Sequence, residues 1–221
     1  MAEGTLYIGT RRYSSWSLRG WLAVRLAGLD VEEQVIPLAG GETPAVKAVS
    51  PSGLVPCLVH RGITVWETIA IAEYCAELAP RLWPADRGAR AHARAIAAEM
   101  HAGFRSLRES MPMNLGRVIP GGGRNDASLH DIARIEMIWR ETRARFGDGG
   151  PFLFGADVTL ADAMYAPVVA RFLTYRPELA ADAAAYCAAV RDLPLIREWY
   201  AAAAAEPVAW QLAKYEAIAA P

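Results

Sequence analysis

Hydrophobic and polar positions change period several times in the first eighty residues. Thr5 to Ile8 alternates as a short strand, and a polar turn follows it. Leu18, Leu22 and Leu26 then recur at i, i+4 and i+8, which predicts a helix from Ser17 to Ala27 with Gly28 as its stop. Val31 to Leu38 reads as a second strand, weakened by its glutamates and by Pro37. Leu54 to His60 and Ile63 to Trp66 flank Arg61-Gly62, the pattern of a hairpin, and Thr68 to Leu78 returns to helical spacing. The order β-α-β-(irregular)-β-β-α describes a small mixed α/β unit.

The texture changes at PRLWPADRG, where two prolines and a glycine form a linker signature. Beyond it the periodicity is helical. Ile96, Met100, Phe104, Leu107 and Met111 form one stripe; Leu129, Ile132, Ile135, Trp139 and Phe146 form another. The expected organisation is an α/β domain over residues 1–80, a linker over 81–89 and an all-α domain over 90–221.

Composition narrows the function. Of 221 residues 53% are hydrophobic and 21% charged, so the chain forms a core, and its net charge of −1 leaves no field for nucleic acid or an anionic membrane. An anionic ligand must be held by local groups. The opening MAEGTLYIG lacks the basic and apolar regions of a secretory signal, and no stretch approaches the roughly 20 apolar residues of a membrane span. Three cysteines, Cys57, Cys75 and Cys187, sit in apolar settings without a CxxC or Cys/His cluster. They read as reduced thiols of a cytoplasmic protein, and no metal site is expected.

Four motifs stand in a telling order: the strand and turn ending in YSSWSLRGW, SPSGLVPCLV, VWETIAIAEYCAE and FGADVTLADAMYAP. Together they resemble the cytosolic glutathione transferases over essentially the whole chain. The resemblance implies a thioredoxin-like glutathione-binding domain, a helical domain that shapes the electrophile site, and a homodimer.

Within that resemblance each motif has a physical role. A cis Val55-Pro56 bond would present the Val55 backbone to glutathione's cysteinyl residue as an added half-strand. Glu67-Thr68 would hold the γ-glutamyl head group, the carboxylate at the helix N-terminus and threonine hydroxyl, the ammonium at Glu67; capping by Thr68 explains the pair equally well. The serines resemble the zeta-like pattern of two serines followed by cysteine and serine. Laid on it, Ser14 takes the catalytic place, Ser15 the second serine, and Trp16 replaces the cysteine. A serine is a poor base, but its hydroxyl can donate to a thiolate, and a helix N-terminus lowers a thiol's pKa further. Capping of the helix accounts for at least one of these hydroxyls. Ser17 ranks behind Ser14 and Ser15, and Arg19 either supports the thiolate or ties down a loop. Tyr7 competes for the role from the first strand, and Cys57 reads as a small buried hydrophobe.

Leu54 departs from the family, where lysine or glutamine before the Val-Pro pair reaches the glycyl carboxylate. Arg11, Arg12, Gln34 and Lys47 are the candidate substitutes. Tyr13, Trp16, Met111, Met113 and Tyr165 are the candidate walls of an apolar electrophile site. Thr159 and Asp162 form a capping box, which resembles a structural motif of the family, and Pro167 is expected to kink the same helix or begin a displaced turn. The function implied is glutathione transfer to an apolar electrophile. Its rivals are a maleylacetoacetate isomerase-like cis–trans isomerase, which arginines in the cleft wall would favour, and a non-catalytic partner-binding protein.

Overall fold

The computed structural model describes residues 2–218. Strand β1 (Gly4–Gly9) leads through a turn to α1 (Ser15–Ala27), β2 (Glu32–Ile36), the single turn α2 (Pro44–Lys47), the hairpin β3 (Cys57–His60) and β4 (Ile63–Trp66), and α3 (Thr68–Leu78). The sheet order is β2-β1-β3-β4, with β1 parallel to β2 and the other pairs antiparallel. Parallel pairing of β1 and β2 requires the crossover that α1 supplies. Leu6, Ile8 and Leu58, all fully buried, join Leu18, Leu22, Ile71 and Cys75 in one core. The hairpin turn uses Arg61 at φ 50° and Gly62 at φ 79°, the left-handed pair that matches strand twist.

The helical part comprises α4 (Arg87–Ala102), α5 (Arg105–Ser110), α6 (Asp126–Phe146), α7 (Leu160–Tyr175), α8 (Ala181–Asp192) and α9 (Pro194–Ala204), with the short α10 (Ala213–Glu216) near its end. Helix α7 is buried on nearly every face and packs against both α1 and α4. Its sequence is accordingly apolar all round. Trp139 of α6 meets Tyr165, Phe172 and Tyr186 at centroid distances of 5.8, 5.6 and 4.6 Å, in the helical part of the same continuous core.

Three expectations change. The stripe from Ile96 to Met111 belongs to two helices: α4 stops at Ala102, Phe104 turns left-handed at φ 55°, and Asp131 Oδ2 accepts Leu107 N–H at 2.8 Å to hold α5. In α6 Leu129 is 44% exposed, and the buried face runs through Ser128, Ile132, Ile135, Trp139 and Thr142. Thr68 is the first helical residue of α3 rather than its cap; Glu67 occupies the cap position at φ 67° without a side-chain capping bond.

The capping box of α7 forms as expected. Asp162 Oδ2 accepts Thr159 N–H at 2.8 Å and Thr159 Oγ1–H at 2.9 Å, while Oδ1 accepts Leu153 N–H at 3.1 Å and Tyr186 O–H at 3.0 Å. Helix α7 runs through Pro167 to Tyr175. No helix among the described residues is long and apolar enough to cross a membrane.

Candidate active site

A cleft of about 620 Å³ opens between the sheet unit and the helical part. The sheet unit contributes Ser14, Ser15, Val55, Pro56, Glu67 and Thr68, six of the residues expected to handle glutathione. Val55-Pro56 is cis. Helix α1 can approach this bond because residue 20 is glycine: a Cβ there would lie 2.6 Å from the Pro56 ring.

The serines divide the work of the α1 N-terminus. Ser14 is the cap, its Oγ accepting Ser17 N–H at 3.2 Å and donating to Ser17 Oγ at 2.7 Å. Ser17, fully buried, also accepts Gly9 N–H at 2.9 Å, which ties the helix to β1 and keeps Ser17 out of the cleft lining. Ser15 Oγ accepts from Arg171 Nη2 at 3.3 Å. Its own proton is therefore available to a cleft ligand. Tyr7 does not line the cleft, and Cys57 is buried against the Val49 carbonyl with its thiol pKa raised by desolvation.

Of the expected electrophile-site residues, Tyr13, Trp16 and Met113 line the cleft. Met111 and Tyr165 do not. Both are fully buried in the core; the Tyr165 hydroxyl donates to the Ile96 carbonyl, and Met111 offers only its backbone carbonyl to Arg171.

The opposite wall is cationic, and sequence reading missed most of it. Arg108 and Arg171 line the cleft together with His101. Arg19 lies behind Trp16, its guanidinium 4.7 Å from the ring centroid, and Arg108 is 5.3 Å from the same ring. His101 meets Trp16 edge-on at 5.2 Å. Trp16 is thus the platform on which these groups are arranged. Arg171 is anchored by Nε to the Met111 carbonyl at 2.8 Å and Nη1 to the Pro167 carbonyl at 3.0 Å. Arg19 donates to the Met164 carbonyl at 2.7 Å and the Ser15 carbonyl at 3.4 Å, leaving Nη2 buried without a partner.

None of the three arginines is paired with a carboxylate among the described residues. Burial, then the Arg108 charge, lowers Arg171 to about 10. Burial, then Arg171 and Arg108, lowers Arg19 well below the usual range. His101 is held below its ordinary value by burial and by Arg19 and Arg108, against the opposing charge of Glu67. Such a cluster has unused capacity for an anion. No group of three His, Cys, Asp or Glu residues suited to a metal occurs among the described residues.

The C-terminal segment also borders the cleft. Leu212, Lys214 and Tyr215 line it beside Gly40, Gly41 and Leu54. The four candidates for the glycyl carboxylate lie outside the lining. Arg11 pairs with Glu33, Arg12 with Glu216 and Lys47 with Glu42, while Gln34 lies on the edge strand β2.

This geometry has close counterparts. The profile of the glutathione S-transferase N-terminal domain matches residues 13–78, and that of the C-terminal domain residues 114–202. Maleylacetoacetate isomerase of Rattus norvegicus is 30% identical over 181 residues, covering 79% of this chain and 80% of that protein. The holo structure of maleyl pyruvate isomerase, a bacterial glutathione S-transferase in the zeta class, superposes with a TM-score of 0.68 at 26% identity, covering 92% and 99% of the two chains. A Burkholderia glutathione transferase homolog with bound glutathione gives 0.70 at 24% identity over the same shares. The chain belongs to the glutathione S-transferase family, with that family's thioredoxin-like domain and helical domain.

Proposed function

We propose that this chain is a glutathione-dependent enzyme whose electrophile bears carboxylate groups, and that it works as a cis–trans isomerase. The carrying observation is the cationic wall: Arg108 and Arg171 facing the cleft, with Arg19 behind, and none of the three in a salt bridge with a carboxylate among the described residues. Buried cations without counterions are costly unless a ligand supplies the charge. The rat and bacterial isomerases among its relatives agree with that reading.

Glutathione is the co-substrate. Its γ-glutamyl carboxylate meets Thr68 and the first N–H groups of α3, its ammonium meets Glu67, and its cysteinyl backbone pairs with Val55. The thiolate lies at the N-terminus of α1 and accepts from Ser14 and Ser15. A charged acceptor outcompetes the neutral Ser17 oxygen for the Ser14 proton, while Arg171 polarises the Ser15 hydroxyl from behind. The thiolate adds to one carbon of a conjugated cis double bond, and the displaced π pair moves onto the conjugated carbonyl as an enolate. Rotation about the resulting single bond follows. The enolate pair then returns, re-forming the double bond in the trans geometry and expelling the thiolate. Nothing is consumed. The arginines bind the substrate carboxylates and stabilise the developing enolate charge.

A second reading, conjugation of an apolar electrophile, draws on Trp16, Pro112, Met113 and Leu212, which make part of the same lining apolar. The test compares a cis dicarboxylic enone with a neutral chloronitroarene in wild type and Arg108→Gln. Isomerase function predicts a KM for the dicarboxylate raised about tenfold or more, with the neutral compound little changed. Conjugation of the arene without turnover of the dicarboxylate would overturn it.

The same reading makes the protein a cytoplasmic homodimer. Buried, unpaired Cys57, Cys75 and Cys187 suit a reducing compartment. Ile63 and Trp66, 51% and 41% exposed on the edge strand β4, suit coverage by a second copy.

A further inference from the structure

With Leu54 in place of a polar residue, the sheet unit places no cation in the lining of the cleft, and its nearby Lys47 is paired with Glu42. Besides Glu67, Thr68, Val55 and the serines, the sheet unit lines the cleft with two loops, Gly40–Gly41 and Ser52–Leu54, which Lys47 ties together by lying against Gly53 and pairing with Glu42. A tripeptide whose head group meets Thr68 and whose thiol meets Ser14 and Ser15 leaves these loops for its glycyl carboxylate. The cations of the lining are Arg108, Arg171 and Lys214, and the first two belong to the wall beside Trp16. Lys214 alone lies at the Gly40–Gly41 loop.

Its placement is built. Lys214 Nζ donates to the Gly40 carbonyl and lies 4.8 Å from the Tyr215 ring centroid. A Cβ on Gly40 would lie 3.5 Å from Lys214 Cε, so the stem rests directly on the loop. Among the described residues Lys214 has no carboxylate partner, whereas Lys47, the other lysine nearby, pairs with Glu42 at 2.7 Å. The segment that carries Lys214 is fastened on both sides of it. Upstream, Glu206 accepts Arg11 N–H at 2.6 Å and Arg12 N–H at 3.2 Å. Downstream, Glu216 accepts from the Tyr13 hydroxyl, from Arg12 Nε at 3.2 Å and from Asn114 Nδ2 at 3.1 Å, and Arg117 Nη1 donates to the Glu216 and Ile218 carbonyls at 2.6 Å each. Leu212 N–H donates to the Tyr13 hydroxyl at 3.2 Å, drawing the segment onto the residue next to Ser14.

We infer that Lys214 binds the glycyl carboxylate of glutathione, so that the C-terminal segment, rather than the thioredoxin-like domain, supplies the third grip on the co-substrate. This inference rests on the glutathione reading above. It also relieves Leu54 of any polar duty, which suits its 61% exposure.

The test is a titration of glutathione and of its glycyl amide against wild type, Lys214→Met and Lys47→Met. Lys214 is exposed, so the substitution leaves the fold intact, with an unchanged Tm as the check. Wild type is expected to bind glutathione about tenfold more tightly than the amide, the usual worth of a charge-assisted hydrogen bond. Lys214→Met removes that preference by weakening glutathione alone, and Lys47→Met retains it. Equal affinity of wild type for the two ligands, or a preference that survives Lys214→Met, overturns the assignment while leaving the glutathione site standing. Failure of wild type to bind either ligand at millimolar concentration overturns both.

Discussion

Arg171 Nη2 donates to Ser15 Oγ at 3.3 Å, joining the helical part to the first turn of α1 across the cleft. The same guanidinium holds the Met111 and Pro167 carbonyls. One side chain thus fixes a wall of the cleft, holds the Ser15 hydroxyl and turns positive charge toward the cleft; under the proposed function these are the thiolate donor and the electrophile's seat.

Arg171→Met should lower kcat/KM for a dicarboxylic electrophile about a hundredfold, because orientation and charge are lost together. Arg171→Lys should recover less than tenfold of that loss. Its ammonium cannot span the three acceptors that the planar fork reaches. Steady-state kinetics of the two variants check this, and full recovery by lysine would mean that charge alone matters.

The α7 capping box gives a stability prediction. Asp162 is buried and accepts four hydrogen bonds. Asp162→Ala deprives four donor groups of their acceptor and should cost about 3 kcal/mol or more. Thr159→Ala should cost about 1 kcal/mol, a Tm lower by about 3 °C for a chain of this length. Denaturant unfolding of the pair should rank them in that order.

Stability should also fall on mild acidification. Burial holds His92 and His101 below the ordinary value of 6.5, assisted by Arg145 for His92 and by Arg19 and Arg108 for His101. Near pH 6.5 the unfolded chain therefore binds more protons than the folded one. The stability these residues allow is present above that pH and is lost as pH falls through their lowered values. Tm followed from pH 7.5 to 5.5 should decline in wild type and decline less in a His92→Asn/His101→Asn variant. An identical decline in both would refute the role of these two groups.

Much of the fold was legible because its signals are local. The period switch around α1, the Arg61-Gly62 turn and the Thr159–Asp162 box each need only neighbours in sequence. The misreading across Ala102 to Phe104 arose because α4 and α5 continue one apolar period through a break that Asp131, from a distant helix, helps to hold. That Ser14, Ser15, Val55, Pro56, Glu67 and Thr68 meet in one cleft was legible for the same reason: these residues come in short motifs. The cationic wall was not, since Arg108, Arg171 and His101 converge only through tertiary packing, α7 against α1 and α4, and α5 against α6. One signal did exist. Arg171 interrupts the apolar run Ala166 to Leu173 in a helix buried on nearly every face, and a charge in such a setting calls for a partner or a task. Lys214, in the C-terminal segment, had no comparable mark.

The most direct measurement is the pKa of the glutathione thiol bound to wild type, Ser14→Ala and Ser15→Ala, followed by thiolate absorbance. In wild type the bound thiol should titrate well below its free value. Each substitution should raise it by about one unit, roughly 1.4 kcal/mol of thiolate stabilisation, and Ser14→Ala should also lower Tm through loss of the α1 cap. A bound thiol with the same pKa in all three proteins would contradict the mechanism at its centre.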